Sequence, residues 1–196
     1  MNFCTKTMRV MLVDDDADRL DMLEEALRTA GHTVVARCGT RDGLLAAAKQ
    51  SHPEIVLIDV DSPGRDMLES LSQIAECEPM PVALFAAKSD VDSIRRAMRA
   101  GVCAYVVDGL SPARLQPVME VAIARFAEHQ ALRRELDDAK SRLADRKDID
   151  RAKGLLNQRK GLSEHDAYEQ LRKAAMNRKL KLGDAARAVI AAADLL

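Results

Sequence analysis

Through its first 125 residues the chain alternates short apolar runs with longer segments whose apolar positions recur every three or four residues. The runs RVMLVD (9–14), TVVARC (33–38), EIVLIDV (54–60), PVALFAA (81–87) and AYVVDG (104–109) have the length and β-branched content of buried strands. Between them lie helix-period segments. ADRLDMLEEALRTAG sets Leu20, Leu23, Ala26 and Leu27 on one face, with Gly31 as its stop. RDGLLAAAKQ, MLESLSQIAEC and DVDSIRRAMRAG follow, and SPARLQPVMEVAIARFAEHQ opens a fifth helix. Five strand–helix units in series predict an α/β domain with five parallel strands and helices on both faces. Its crossovers are expected to be right-handed.

The pattern then changes. From about Pro117 to Ile149 there is no strong turn signal. Leu132, Leu136, Ala139 and Leu143 alternate spacings of four and three, a short heptad seam in charged sequence. The seam predicts a dimeric coiled coil, because so narrow an apolar stripe has little else to bury it. A single solvated helix joining two domains is the other reading. Three further helices are predicted in the tail. DIDRAKGLLNQRK sets Ile149, Ala152 and Leu156 on one face and is closed by Gly161. SEHDAYEQLRKAAMNRK opens on Ser163 as N-cap with Asp166 three residues on, and its inner face is Ala167, Tyr168, Leu171 and Ala175. LGDAARAVIAAADLL supplies Ala186, Val189, Ile190 and Ala193. The expected parts are a domain over 1–125, a linker helix over 117–149 and a small all-α three-helix bundle over 135–196.

Composition adds a division of charge. The net charge of −1 conceals 14 basic against 19 acidic residues in 1–125, and 16 against 12 in 126–196. An acidic front and a basic back suggest different partners, with a polyanion meeting only the back. A hydrophobic content of 47% allows a core without disulfides or structural metal. Cys4, Cys38, Cys77 and Cys103 form no C-x-x-C pair and are expected to be reduced, buried thiols of a cytoplasmic protein. No apolar run approaches the ~20 residues that span a bilayer, and MNFCTKTMRV lacks the apolar core of a signal peptide. His32, His52, His129 and His165 are scattered and expected at the surface. No nucleophile–histidine pair or metal motif stands out, so an enzyme is the least supported class.

Acids stand where strands end. Strand one runs into Asp14, Asp15 and Asp16, and strand three into Asp59 and Asp61. In an open parallel sheet these ends gather around the switch point, and clustered carboxylates are tolerable around a hard cation or with one of them protonated. MLVDDDADR, VLIDVDSP and AYVVDGLSPARL resemble the acid pair, phosphoacceptor strand and final strand of response-regulator receiver domains, a flavodoxin-like fold. The resemblance implies Asp59 as phosphoacceptor, with Asp14, Asp15 and the backbone carbonyl of Asp61 as Mg²⁺ ligands. Two positions depart from that pattern. Receivers carry a lysine where this chain has Asp108, and a threonine or serine where it has Ala86. Lys88 is the nearest substitute cation in sequence. Without the lysine and the hydroxyl, the domain is expected to serve as a docking platform rather than a phosphorylation switch, with no cofactor required.

Residues 146–181 hold 11 basic and 5 acidic side chains. Such a run is commonly a solvated face, and with Tyr168 placed in the core it offers no aromatic stacking platform. RAKGLLNQRKGLSEHDAYEQLRKAAMNRKLKLGDAARAVI resembles the ANTAR domain of transcription antiterminators. The resemblance implies binding to RNA hairpins of leader transcripts. Ala152, Lys153 and Gly154 are the expected contact segment, followed by Arg172 and Lys173, with Arg178 and Lys179 on phosphates. Gly154 would either allow close approach of RNA or serve helix packing.

The order of parts, with DSPGRDMLE, AYVVDGL and RLQPVMEVAIARF, most resembles the nitrate-responsive NasT type. That resemblance implies control by a nitrate-sensing NasS-type partner, while the heptad seam and the basic tail suggest a homodimer carrying two RNA-binding heads, with no membrane expected. A phosphorylation-activated regulator with the same RNA output is the main alternative. A DNA-binding regulator is a weaker one, since MNRKLKLGD is longer than a helix-turn-helix turn.

Overall fold

A computed structural model describes residues 7–194, so Cys4 lies outside the described residues. The elements alternate as β1 (Arg9–Val13), α1 (Ala17–Thr29), β2 (Thr33–Cys38), α2 (Leu44–Ser51), β3 (Ile55–Val60), α3 (Arg65–Cys77), β4 (Val82–Ala86), α4 (Val91–Arg99) and β5 (Ala104–Val107). Three helices follow: α5 (Pro112–Lys160), α6 (Glu164–Arg178) and α7 (Leu182–Asp194). The five strands form one parallel sheet in the order β2-β1-β3-β4-β5. The chain divides into two compact units, Met1–His129 and Gln130–Leu196.

Side chains alternate across a strand, and the sheet is filled on both faces accordingly. Met11, Val13, Val56, Ile58 and Leu84 face α2, α3 and α4, where Leu44, Leu71, Ile74 and Ala97 are buried. Val10, Leu12, Leu57, Ala83 and Phe85 face α1 and α5, meeting Leu23, Leu27 and Met119. Because both faces are covered, β3 is buried along its whole length. Parallel pairing of Val13 with Ile58 sets the next residues, Asp14 and Asp59, side by side at the carboxyl edge.

Local chemistry explains the element ends. Asp16 caps α1 through the N–H groups of Asp18 and Arg19, and Asp90 caps α4 through that of Ser93. Gly31 and Gly101 follow α1 and α4 at φ +86° and +98°. At Gly101 a Cβ would also lie 2.7 Å from the Ala75 Cβ of α3. Gly101→Ala combines a left-handed backbone penalty with overpacking and is expected to destabilise the unit by about 2–4 kcal/mol. A fall in the denaturant midpoint at unchanged m-value checks it.

Two expectations about this unit are corrected. His32 is buried, not on the surface: its Nδ1 accepts the Met8 N–H at 3.3 Å and its Nε2 faces Gln116 Oε1 at 3.0 Å. Polar partners on both ring nitrogens make that burial tolerable. Of the described cysteines Cys38 is buried and Cys103 half-buried, but Cys77 is exposed at the last position of α3.

In the second unit Ala152 and Leu156 of α5 pack with Ala167 and Leu171 of α6 and with Ala186 and Ile190 of α7. The predicted first helix of the tail is not a separate element, because α5 continues unbroken to Lys160. Gly161 at φ +66° then turns the chain, and Asn157 Nδ2 donates to the Leu162 carbonyl at 2.6 Å. Ser163 caps α6 by accepting the Asp166 N–H at 3.1 Å. Lys179 ends it in a left-handed conformation at φ +54°. Arg187 ties α7 to α5 by donating to Asp145 at 2.8 Å and Asp148 at 3.1 Å. Among the described residues no helix is long and apolar enough to cross a membrane.

Candidate functional site

The carboxyl edge of the sheet gathers the acids, but an arginine stands among them. Asp14 and Asp59 are 2% and 4% exposed, so their charges need a partner inside the protein. Arg19, from the first turns of α1, supplies it. Its guanidinium forms a two-pronged bond to Asp14, through Nε to Oδ2 and through Nη2 to Oδ1 at 2.6 Å. The same Nε lies 3.4 Å from Asp59 Oδ2. The capping turn at Asp16 aims the side chain, since Asp16 N also donates to Asp14 Oδ1 at 2.9 Å. Asp14 holds the Arg19 pKa above its ordinary value.

Asp15 is also committed, and so is the backbone carbonyl of Asp61. Asp15 accepts the Thr40 N–H at 2.7 Å and the Thr40 hydroxyl at 2.6 Å, and these bonds hold its carboxyl below the usual range. The Asp61 backbone carbonyl accepts the Lys88 N–H at 3.2 Å, while the Lys88 side chain is exposed. Among the described residues no three His, Cys, Asp or Glu side chains are grouped to hold a metal. Mg²⁺ wants near-octahedral oxygens, yet here both oxygens of Asp14 bind a guanidinium. Asp14, Asp15 and Asp61 therefore do not fit the ion in this arrangement.

The loop after β5 treats Asp59 in a way that its sequence conceals. Asp108 and Gly109 adopt left-handed backbones at φ +77° and +69°. The turn leaves Asp108 exposed and brings the Leu110 N–H to Asp59 Oδ2 at 3.3 Å. Burial pushes the Asp59 carboxyl upward, and Arg19 and the Leu110 N–H pull against it. A folded value above the unfolded one means that ionised Asp59 costs stability at neutral pH. That cost fades as pH falls through the folded value. Asp59→Asn keeps the shape without the charge and is expected to raise Tm at pH 7 by about 2–4 °C. Melts across pH should show the gain shrinking toward pH 4.

The second unit carries the other set of residues. Ala152 is fully buried between the helices, so its side chain cannot be a contact to RNA; small size serves packing there. Lys153 is largely covered and bonds Asp150 and Glu164, each at 2.9 Å. Gly154 is exposed, and a Cβ there would meet nothing within 4 Å, so helix packing does not require it. Arg172, Lys173, Arg178 and Lys179 are all exposed on α6 and its cap, Arg172 beside Glu169 at 3.1 Å. Tyr168 corrects an expectation: it is 40% exposed and outside the apolar cluster.

Comparison with known proteins gives these two units a common context. The response regulator receiver domain family matches residues 10–120, over half of the chain, and the ANTAR domain family matches residues 137–190. Transcriptional regulatory protein PdtaR of Mycobacterium tuberculosis is 36% identical over 183 residues, 93% of this chain and 89% of its own. The chain belongs to the ANTAR-containing response regulators.

Other similarities concern the first unit. DNA-binding transcriptional regulator NtrC of Escherichia coli is 34% identical over 122 residues, which cover 62% of this chain and 26% of that one. A CheY-like receiver domain protein from Methanospirillum hungatei JF-1 superposes with a TM-score of 0.54 over 63% of this chain and 99% of its own. At 21% identity that likeness bears on fold alone. These families are regulatory rather than catalytic. Within this ANTAR-containing regulator, Arg19 is the residue that sequence reasoning missed. Its signal was the spacing of Asp14 and Arg19, five apart across a capping turn, which brings a helix's first-turn side chain back over the strand end.

Proposed function

We propose that this ANTAR-containing regulator binds hairpins in leader transcripts as a homodimer and is controlled by docking of a ligand-sensing partner. The observation that carries the RNA half is the ANTAR match over a helical unit with exposed cations. Lys153, Gly154, Arg172, Lys173, Arg178 and Lys179 are the proposed contacts, chiefly to phosphates. Lys153 would exchange its carboxylate partners for RNA.

Support for docking control comes from the acid pocket. Arg19 already occupies the oxygens of Asp14 at the site where Mg²⁺ and a phosphoryl group would act, so Asp59 phosphorylation is the weaker reading. A NasS-type nitrate sensor as partner, and nitrate or nitrite assimilation genes as target, rest on the sequence resemblance to the NasT type. The seam supports dimerisation: Leu132, Leu136 and Leu143 are more than half exposed, and Ala139 lies exposed between them.

The test is a titration of full-length protein against stem-loop RNA and duplex DNA at one salt concentration, before and after treatment with a small phosphodonor and Mg²⁺. Preference for RNA without the donor supports the reading. Labelling of Asp59 that strengthens RNA binding would replace docking by phosphorylation as the control. Equal binding to both nucleic acids would remove the RNA assignment.

A further inference from the structure

The exposed side of α6 combines features that a solvated helix has no need of. Tyr168, Met176 and Leu180 are 40%, 67% and 43% exposed. Tyr168, Arg172 and Met176 are spaced by four, so they share one stripe about 12 Å long, and the Lys179 cap continues it. Around this stripe the sequence from Gln170 to Lys181 holds five cations and no carboxylate. Of the five, Arg172 has an acidic partner in Glu169, one turn back, and Lys181 lies close enough to Asp184 to help hold its carboxyl below the usual range; Lys173, Arg178 and Lys179 have none among the described residues. The apolar cluster uses the adjoining face, about 100° round the helix, through Ala167, Leu171 and Ala175. Among the described residues the Tyr168 hydroxyl takes no hydrogen bond. Its ring is thus neither core nor tethered.

We infer that Tyr168 is a stacking platform for an unpaired base of the bound RNA, with Arg172 beside it on the same stripe and Met176 widening the apolar floor. This rests on the RNA-binding reading and gives it a residue that contacts bases rather than phosphates. Charge complementarity decides the occupant: an acid-free run of five cations favours a polyanion, and an exposed aromatic just before that run, one turn from Arg172, favours one with flat, unstacked bases. A duplex hides those faces, so the ligand is a loop or bulge, not a stem. The guanidinium of Arg172 can lie over a base or reach its phosphate, and either use requires it to leave Glu169.

Two variants separate stacking from bulk. Tyr168→Phe keeps the π-face, and Tyr168→Leu keeps apolar volume without it. The probe is a stem-loop carrying 2-aminopurine in its loop, titrated with full-length protein, with circular dichroism confirming the fold of each variant. Wild type and Tyr168→Phe are expected to quench the probe and bind alike. Tyr168→Leu is expected to lose the quenching and about 10- to 100-fold in affinity. A stem closed by a loop without bases should be bound equally by all three. If wild type binds the stem-loop and Tyr168→Leu matches it in affinity and quenching, the stacking role is overturned while RNA binding stands. If Tyr168→Leu instead changes only the oligomeric state, the stripe is a contact between copies. If wild type binds no stem-loop, both readings fall.

Discussion

Arg19→Gln is expected to lower the stability of the amino-terminal unit by about 2–3 kcal/mol, well beyond the effect of an ordinary surface substitution. Removing one member of a buried pair leaves its partners charged and desolvated, at roughly 3–5 kcal/mol for full burial. Here the guanidinium is 36% exposed, which screens part of the interaction and reduces the expected loss. Asp14 and Asp59 would be left facing one another. Glutamine can donate to one oxygen but cannot neutralise either charge. Freed of its arginine, Asp14 regains oxygens that a hard cation can use. Millimolar Mg²⁺ is therefore expected to raise the Tm of Arg19→Gln and to leave that of wild type unchanged. A wild-type shift as large as the variant's would show that Arg19 does not occupy the place of the ion.

The largest effect on binding is expected from the seam. Leu136→Glu with Leu143→Glu places two charges where two copies would meet, and the exposure of both positions leaves the single chain's fold intact. Sedimentation should then report a monomer. Affinity for a one-hairpin RNA should remain as in wild type. Affinity for a two-hairpin RNA should fall about 10²-fold or more, because the second contact no longer benefits from tethering to the first. An unchanged two-hairpin affinity in a confirmed monomer would disconnect the seam from RNA recognition.

Periodicity carried the architecture of this protein further than it carried the sites. TVVARC is β2 to the residue, and the acids of strands one and three meet as their register requires. Strand neighbours follow from chain order and handedness, which one sequence contains. The role of Arg19 does not follow from period, because it depends on which rotamer a helix start permits beside a strand end. Asp108 misled for the same reason: its charge was evident, but its direction depends on a left-handed backbone that an aspartate tolerates and does not announce. Tyr168 moved from core to surface, while Ala152 kept its place on the packed face and so lost its expected role as an RNA contact. Tyr168 lies at helical spacing from the core residues Leu171 and Ala175, and a stripe's edge can be drawn one position too wide. The unbroken α5 was divided in expectation near Ile149, where the charged heptad seam gives way to the first apolar face of the bundle; no turn residue stands there, so the helix runs on to Lys160.

The pairing of Arg19 with Asp14 bears on how this pocket answers a change of charge at its rim. Installing a lysine at position 108 would add a second cation beside two buried carboxylates that share one guanidinium, on a left-handed backbone that a lysine occupies only under strain. Deleting the arginine would leave bare acids. The two steps move the pocket's charge in opposite directions, so a substitution at one of these positions is best measured with the other held fixed.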